Sequence, residues 1–166
     1  MSNNRIQLTL FVKPEDAKVI EFVRKKFNPE QYNLIKSHVT LCREDEIENL
    51  NAVLNNLKQL KHTKFSIEFG KPIRFHDGKG VYLQSQEFPE DFHNLRKEIL
   101  KGIISTPRIP DAHITLIHPR NGTCTDEIFH EIKNIPFQKQ LNFDTISLIE
   151  QEIGKKWNII EEFKLV

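Results

Sequence analysis

Apolar and polar residues alternate from Arg5 to Val12 (RIQLTLFV) before the run becomes wholly apolar, which predicts an opening strand with one face in a core. Pro14-Glu15-Asp16 then places proline and acids where a first helical turn favours them, so a helix is expected from there to about Phe27. Val19, Ile20, Val23 and Phe27 recur along it at three- and four-residue spacing as a buried stripe, and Arg24, Lys25 and Lys26 fall at its C-terminal end, where the helix dipole favours cations. After an Asn28-Pro29 break, the pattern predicts a strand over Ile35 to Cys42 and a helix from about Glu46 to Leu60, built on Ile47, Leu50, Val53, Leu54 and Leu57. Strands are expected at residues 64–69, 73–75 and 80–85, with Asp77-Gly78 marking a tight hairpin before the last. Phe92, Leu95, Ile99 and Ile103 line a helix from Pro89 to about Ile104, and Ala112 to Ile117 form a strand that Pro119 ends. A short helix follows from Thr125, its cap, to Asn134, and two closing strands, Leu141 to Gln151 and Trp157 to Leu165, turn at Gly154.

In this order each half reads strand, helix, strand, helix, a weak internal repeat of elements that residue identities do not follow at large. With no low-complexity segment or long Gly/Ser linker between the halves, residues 1–166 are expected to form a single α+β domain of two interlocked lobes.

The repeat becomes sharp at one place. His38-Val39-Thr40-Leu41 and His113-Ile114-Thr115-Leu116 share the pattern His-aliphatic-Thr-Leu, 113 − 38 = 75 residues apart. At this composition, chance would produce on the order of a few hundredths of a match to His-x-Thr-Leu in such a chain. On a strand each copy sets His and Thr side by side on one face, with the aliphatic residues on the other.

Composition narrows what these pairs could serve. At 166 residues the chain buries enough surface to fold without staples, and Cys42 and Cys124 lie in no CxxC or Cys/His ligand spacing. No apolar segment follows Met1 as in a signal peptide, and no apolar run nears the roughly 20 residues of a membrane span, so a cytoplasmic protein with no membrane association is expected. A monomer without a stable protein partner is the accompanying expectation. The net charge of +1 argues against coating long nucleic acid by bulk electrostatics, but leaves room for a small phosphate ligand or one end of an RNA.

Two imidazoles titrating near neutrality can divide the two proton transfers of phosphodiester chemistry, one as base and one as acid. Two threonine hydroxyls on the same face can donate to the non-bridging oxygens. Neither a metal nor another cofactor is then required, and the ligand set is poor for one, because threonine is a weak ligand and each motif supplies one strong donor. No GxSxG elbow and no Gly-rich phosphate loop of Walker or Rossmann type occurs.

The paired H-x-T-L sequences resemble those of the two-histidine (2H) phosphoesterase superfamily, which includes 2′-5′ RNA ligase-like proteins and cyclic nucleotide phosphodiesterases. The resemblance implies two pseudo-symmetric α+β lobes of antiparallel sheet with helices outside, flanking a central cleft with one motif strand from each lobe. It implies that His38 and His113 are the acid and base and that Thr40 and Thr115 bind phosphate. It also implies metal-independent opening of 2′,3′-cyclic phosphates, or cleavage or joining of 2′-5′ linkages, on a nucleotide or short RNA. Which histidine is the acid stays open, as do a signalling cyclic (oligo)nucleotide or ADP-ribose cyclic phosphate as substrate, and a site that binds without turnover.

Around the motifs, Arg43 and Arg120 each follow a motif strand and could reach an incoming phosphate. Tyr82 could stack on a base, with Phe75 and Trp157 more readily read as core. His118 would point away from His113 if the strand stayed regular and reads as structural, while His62, His76, His93 and His130 read as surface groups. Arg74, His76 and Lys79 make the hairpin locally basic, a candidate RNA contact for which a solvated turn is the safer reading.

Overall fold

In a computed structural model of the protein, which describes residues 4–166, eight strands among the described residues form one curled antiparallel sheet. The elements run β1 (Asn4–Phe11), α1 (Lys18–Phe27), α2 (Pro29–Leu34), β2 (His38–Cys42), a 3₁₀ turn (Glu44–Glu46), α3 (Leu50–Lys58), β3 (Phe65–Arg74), β4 (Val81–Ser85), α4 (Glu90–Leu100), β5 (His113–Ile117), α5 (Asp126–Lys133), β6 (Gln140–Phe143), β7 (Thr145–Glu152) and β8 (Asn158–Lys164). Strand order is β6-β3-β4-β5-β2-β1-β7-β8. The seam between the two motif strands, β5 and β2, divides it into equal halves, joined at Val39 opposite Ile114.

Both halves are built alike, and each lays a helix on the other. The helix after β1 packs on β5, and the helix after β4 packs on β2. Leu8, Leu10, Val39, Leu41, Ile114 and Leu116 are all at most 1 % exposed and form the apolar layer beneath both helices. The interlocked, pseudo-symmetric α+β arrangement thus follows the expected class. Among the described residues no helix is long and apolar enough to cross a membrane; the expectation about a leader begins at residues 1–3, outside the described residues.

Several boundaries differ, each for a local reason. The first helix starts at Lys18, because Pro14-Glu15-Asp16 close a separate turn in which the Asp16 N–H donates to the Lys13 carbonyl at 2.9 Å. Pro29 opens a helix rather than ending one: it occupies the first turn of α2, where its missing N–H costs nothing, so β2 begins only at His38. The long helix expected from Glu46 is broken, since Glu46 is drawn into a turn by accepting the Arg43 N–H at 2.9 Å, and α3 starts afresh behind the cap Asn49. Residues 65–74 are one strand instead of two, with a bulge between Phe69 and Pro72 that accommodates the proline. The closing stretch from Leu141 is two strands with different partners. β6 joins β3 and β7 joins β1, with the crossing at Asp144, which is held by Lys13 at 2.9 Å.

Candidate active site

Strand alternation does the first part of the placement. Val39, Leu41, Ile114 and Leu116 face the core, so His38, Thr40, His113 and Thr115 stand half-buried on the opposite face. Because Val39 lies opposite Ile114, the same register carried one residue each way sets His38 beside Thr115 and Thr40 beside His113. The seam therefore carries a two-by-two array of imidazole and hydroxyl, and the structure brings together all four motif residues expected at the site.

Both histidines are held in the same way. The Nδ1 of His38 lies 2.7 Å from the Lys36 carbonyl and that of His113 lies 3.0 Å from the Asp111 carbonyl, in each case the residue two positions back. A carbonyl can only accept, so Nδ1 carries the proton in both rings, and Nε2 is the nitrogen left for proton transfer. Burial pushes the pKa of His38 down to about 4, and the charges of Arg24, His113 and His118 act in the same direction against the carbonyl bond. His38 is thus neutral at pH 7.

Thr40 has a fixed role for its lone pairs. The Gln7 amide donates to its Oγ1 at 3.2 Å and to that of Thr9 at 2.7 Å, which leaves the Thr40 hydroxyl proton free to donate elsewhere. Aromatic rings flank both imidazoles. Phe11, the cross-strand neighbour of His38, meets its ring edge-on at 6.1 Å. On the other side Tyr82, paired with Thr115, meets the His113 ring at 5.6 Å, and Phe75 packs 4.5 Å from Tyr82 and 6.3 Å from His113. Tyr82 and Phe75 are therefore neighbours of the motif, whereas the other sequence candidates lie further out. Arg43 is exposed just beyond β2, pairing with Asp45 at 3.2 Å. Arg120 is exposed and folds onto His118, with its N–H donating to Nδ1 at 3.1 Å and its guanidinium 3.3 Å from Nε2.

His118 stands just beyond β5, which ends at Ile117, and its ring is engaged by Arg120. Burial, followed by the charges of Arg120, Arg5 and His113, depresses it to about 4. Buried Asn28 holds this loop, accepting the His118 N–H at 2.9 Å and donating to Asn121.

Sequence reasoning missed Arg5, Gln7 and Phe11. They share one face of β1 by simple alternation, but only the pairing of β1 with β2 reveals that this face adjoins the motif. It also missed a buried ion network behind the site. Arg96 from α4 grips Glu46 with both terminal guanidinium nitrogens and donates to the Leu41 carbonyl, while Arg108, in the loop before β5, reaches the same carboxylate at 3.2 Å. A cavity of about 1000 Å³ opens beside Thr40 and His113. Its wall carries Arg5, Arg43 and Arg108, outnumbered by the carboxylates of Glu44, Asp45, Glu48, Asp111 and Glu150. Among the described residues no group of three or more His, Cys, Asp or Glu side chains is placed to hold a metal ion.

A family model for the 2′-5′ RNA ligase superfamily matches residues 12–154. Among solved structures, the fold is similar to E. coli LigT in apo form, with a TM-score of 0.70 and 16% identity over 98% of each chain. It is also similar to E. coli LigT complexed with ATP, at TM-score 0.68 and 16% identity over 98% of each chain. A phosphoesterase structure aligns at TM-score 0.68 and 16% identity, covering 98% of this chain and 99% of the other. At these identities the likeness concerns the fold. By sequence, no curated protein matches.

Proposed function

Because this chain belongs to the 2′-5′ RNA ligase superfamily and sets two His-Thr pairs side by side at the seam of its own sheet, we propose that it is a metal-independent phosphoesterase. Its substrate is a 2′,3′-cyclic phosphate, or a 2′-5′ phosphodiester, of a nucleotide or RNA end. One observation carries the reading: each histidine has Nδ1 committed to the carbonyl two residues back, so both rings present Nε2 for proton transfer. That is the requirement for a base and an acid acting on one phosphorus.

On this reading His38, the ring that burial keeps neutral, is the base and His113 the acid. His38, held neutral, takes a proton from the attacking water on Nε2 while the water oxygen bonds to phosphorus. His113, in its protonated form, gives its Nε2 proton to the ribose oxygen as the phosphorus–oxygen bond breaks. Thr40, and Thr115 beside it, donate to the non-bridging oxygens, and Gln7 keeps the Thr40 proton directed away from its own amide. Solvent exchange then returns the proton from His38 and reprotonates His113. Solved E. coli LigT complexes with phosphate and with 3′-AMP are compatible with a nucleotide phosphate as ligand here. Arg43, Tyr82 and Arg120 are assigned to the substrate beyond its phosphate, Tyr82 as the nearest of them to His113.

Purified protein in EDTA, offered 2′,3′-cyclic nucleotides, RNAs ending in a 2′,3′-cyclic phosphate and 2′-5′ oligonucleotides, is expected to turn over at least one class. His38→Ala and His113→Ala should each lower kcat/KM by about 10²- to 10⁴-fold, the usual contribution of a positioned acid or base. No turnover, or turnover indifferent to both substitutions, would refute the proposal. Mass spectrometry of the products separates these substrates from a signalling cyclic nucleotide or an ADP-ribose cyclic phosphate.

A further inference from the structure

The carboxylate-rich cavity beside Thr40 and His113 has a counterpart on the other side of His38. Phe11, whose ring meets His38, also lines a second trough of about 540 Å³ that crosses the same sheet face over β7 and β8. Lys13, Lys36, Lys156 and Lys164 line it, against only two carboxylates, those of Asp144 and Glu162. Lys13 is already paired with Asp144 at 2.9 Å, and Lys164 donates to the Thr145 hydroxyl. Lys36 and Lys156 make no ion pair among the described residues. Trp157 completes the wall, half-buried and pinned by its N–H donating to the Leu34 carbonyl at 2.9 Å. Arg5, from the first cavity, lies over the Trp157 ring at 5.3 Å, so this one side chain stands between the two recesses.

We propose that this trough is a track for single-stranded RNA, carrying the chain that continues from the phosphate held between the two His-Thr pairs. Trp157 is its stacking platform, and Lys36 and Lys156 are its phosphate contacts. The inference rests on the phosphoester reading of the site and adds a length and a direction to the substrate. Cations that follow a strand, combined with a ring on which any base can stack, are what sequence-tolerant recognition of single strands requires. The opposite cavity, where carboxylates outnumber arginines, repels further phosphates but can accept hydrogen bonds from the hydroxyls of a terminal ribose. A polyanion entering this cleft therefore has one favourable exit, over β1, β7 and β8. The substrate this selects is an RNA whose last linkage is 2′-5′, with the terminal nucleoside in the first cavity, the linking phosphate between the His-Thr pairs and the preceding nucleotides in the trough.

Trp157 is the only tryptophan in the chain, so its fluorescence reports on the track without any chemistry. A titration with an RNA tetramer ending in an unreactive 3′-hydroxyl is expected to quench it with an affinity that falls as salt rises, while inorganic phosphate leaves it unchanged. Lys156→Ala should weaken the tetramer about three- to tenfold and reduce the salt slope by about one, whereas Glu162→Lys should tighten binding. In parallel, the ratio of kcat/KM for a tetramer whose last linkage is 2′-5′ to that for the 2′-5′ dinucleotide should exceed one and fall in Lys156→Ala. Equal handling of both lengths, with both variants silent, would overturn the track and leave the phosphoesterase reading standing. Quenching by the tetramer without turnover of any substrate would do the reverse. An acidic peptide of matched charge that competes as well as the tetramer would also overturn it.

Discussion

The two motif histidines stand in the same sequence pattern and in different spatial surroundings. His38 is enclosed by Phe11 from β1 and faces the charges of Arg24, His113 and His118, which together with burial bring it to about 4. If His38 is the base, the acid limb of kcat/KM should fall near pH 4 rather than near the ordinary 6.5, as a pH–rate profile of the free enzyme would report. Stability has a matching dependence. His38 and His118 are both depressed from 6.5 to about 4 in the folded protein, so the unfolded chain binds more protons between those values. Their contribution is complete above about pH 6.5 and is lost as pH falls toward 4; urea midpoints should decline across that window, and His118→Gln should flatten the decline. Thr40→Val, which keeps shape and removes the hydroxyl, is expected to lower kcat by about 10²- to 10³-fold, as for loss of one oxyanion donor. The identities of these four residues were readable from the sequence because strand alternation alone places them. The depressed pKa of His38 was not, since it comes first from burial by elements distant in the chain, and then from the charges of Arg24 on a helix and of His113 and His118.

Among the elements, the loops that carry the site are tied together from behind. Glu46, in the turn after β2, is shared by Arg96 on α4 and Arg108 before β5, so one carboxylate joins pieces of both halves. Burial alone would raise its pKa, but the Arg96 hydrogen bonds, the Arg43 N–H and both arginine charges prevail and hold it below the usual carboxylate value. Glu46→Ala strands a buried guanidinium and should cost about 3 to 5 kcal/mol in urea unfolding, with activity reduced through the displaced loops. A second element-level prediction concerns Gly80, where an added Cβ would come within 2.4 Å of the Phe75 ring and 2.9 Å of the Ile117 carbonyl. Gly80→Ala should destabilise the protein by about 1 to 3 kcal/mol and move Phe75 from beside His113, which near-ultraviolet circular dichroism and kcat/KM together would detect. The elements read best from the sequence were the strongly periodic ones, such as α4 with Phe92, Leu95 and Ile99. Of those misread, one was set by a side chain arriving from elsewhere, since Glu46 broke a helical pattern to meet Arg96, and another by local chemistry, since Pro29 began α2 where it was expected only to interrupt.

For the whole molecule, the division into two halves was legible as a repeated order of elements and a repeated motif, but the closing strands were not. Nothing in the run from Leu141 to Gln151 signals that β6 belongs to one half and β7 to the other, because both use the same alternation. That arrangement sets a schedule for synthesis. β1 carries Gln7 and Thr9 and leaves the ribosome well before residues 145–152, yet it lies between β2 and β7. Until they arrive one edge of β1 is unpaired, and the sheet face bearing Gln7, Phe11 and the His38 strand lacks its floor. Closure of the sheet around β1 is therefore a long-range event, of the kind that slows folding and leaves strand edges exposed to wrong partners. Chains stalled before Thr145 should remain sensitive to protease and dependent on chaperones, and should acquire resistance only as β7 docks.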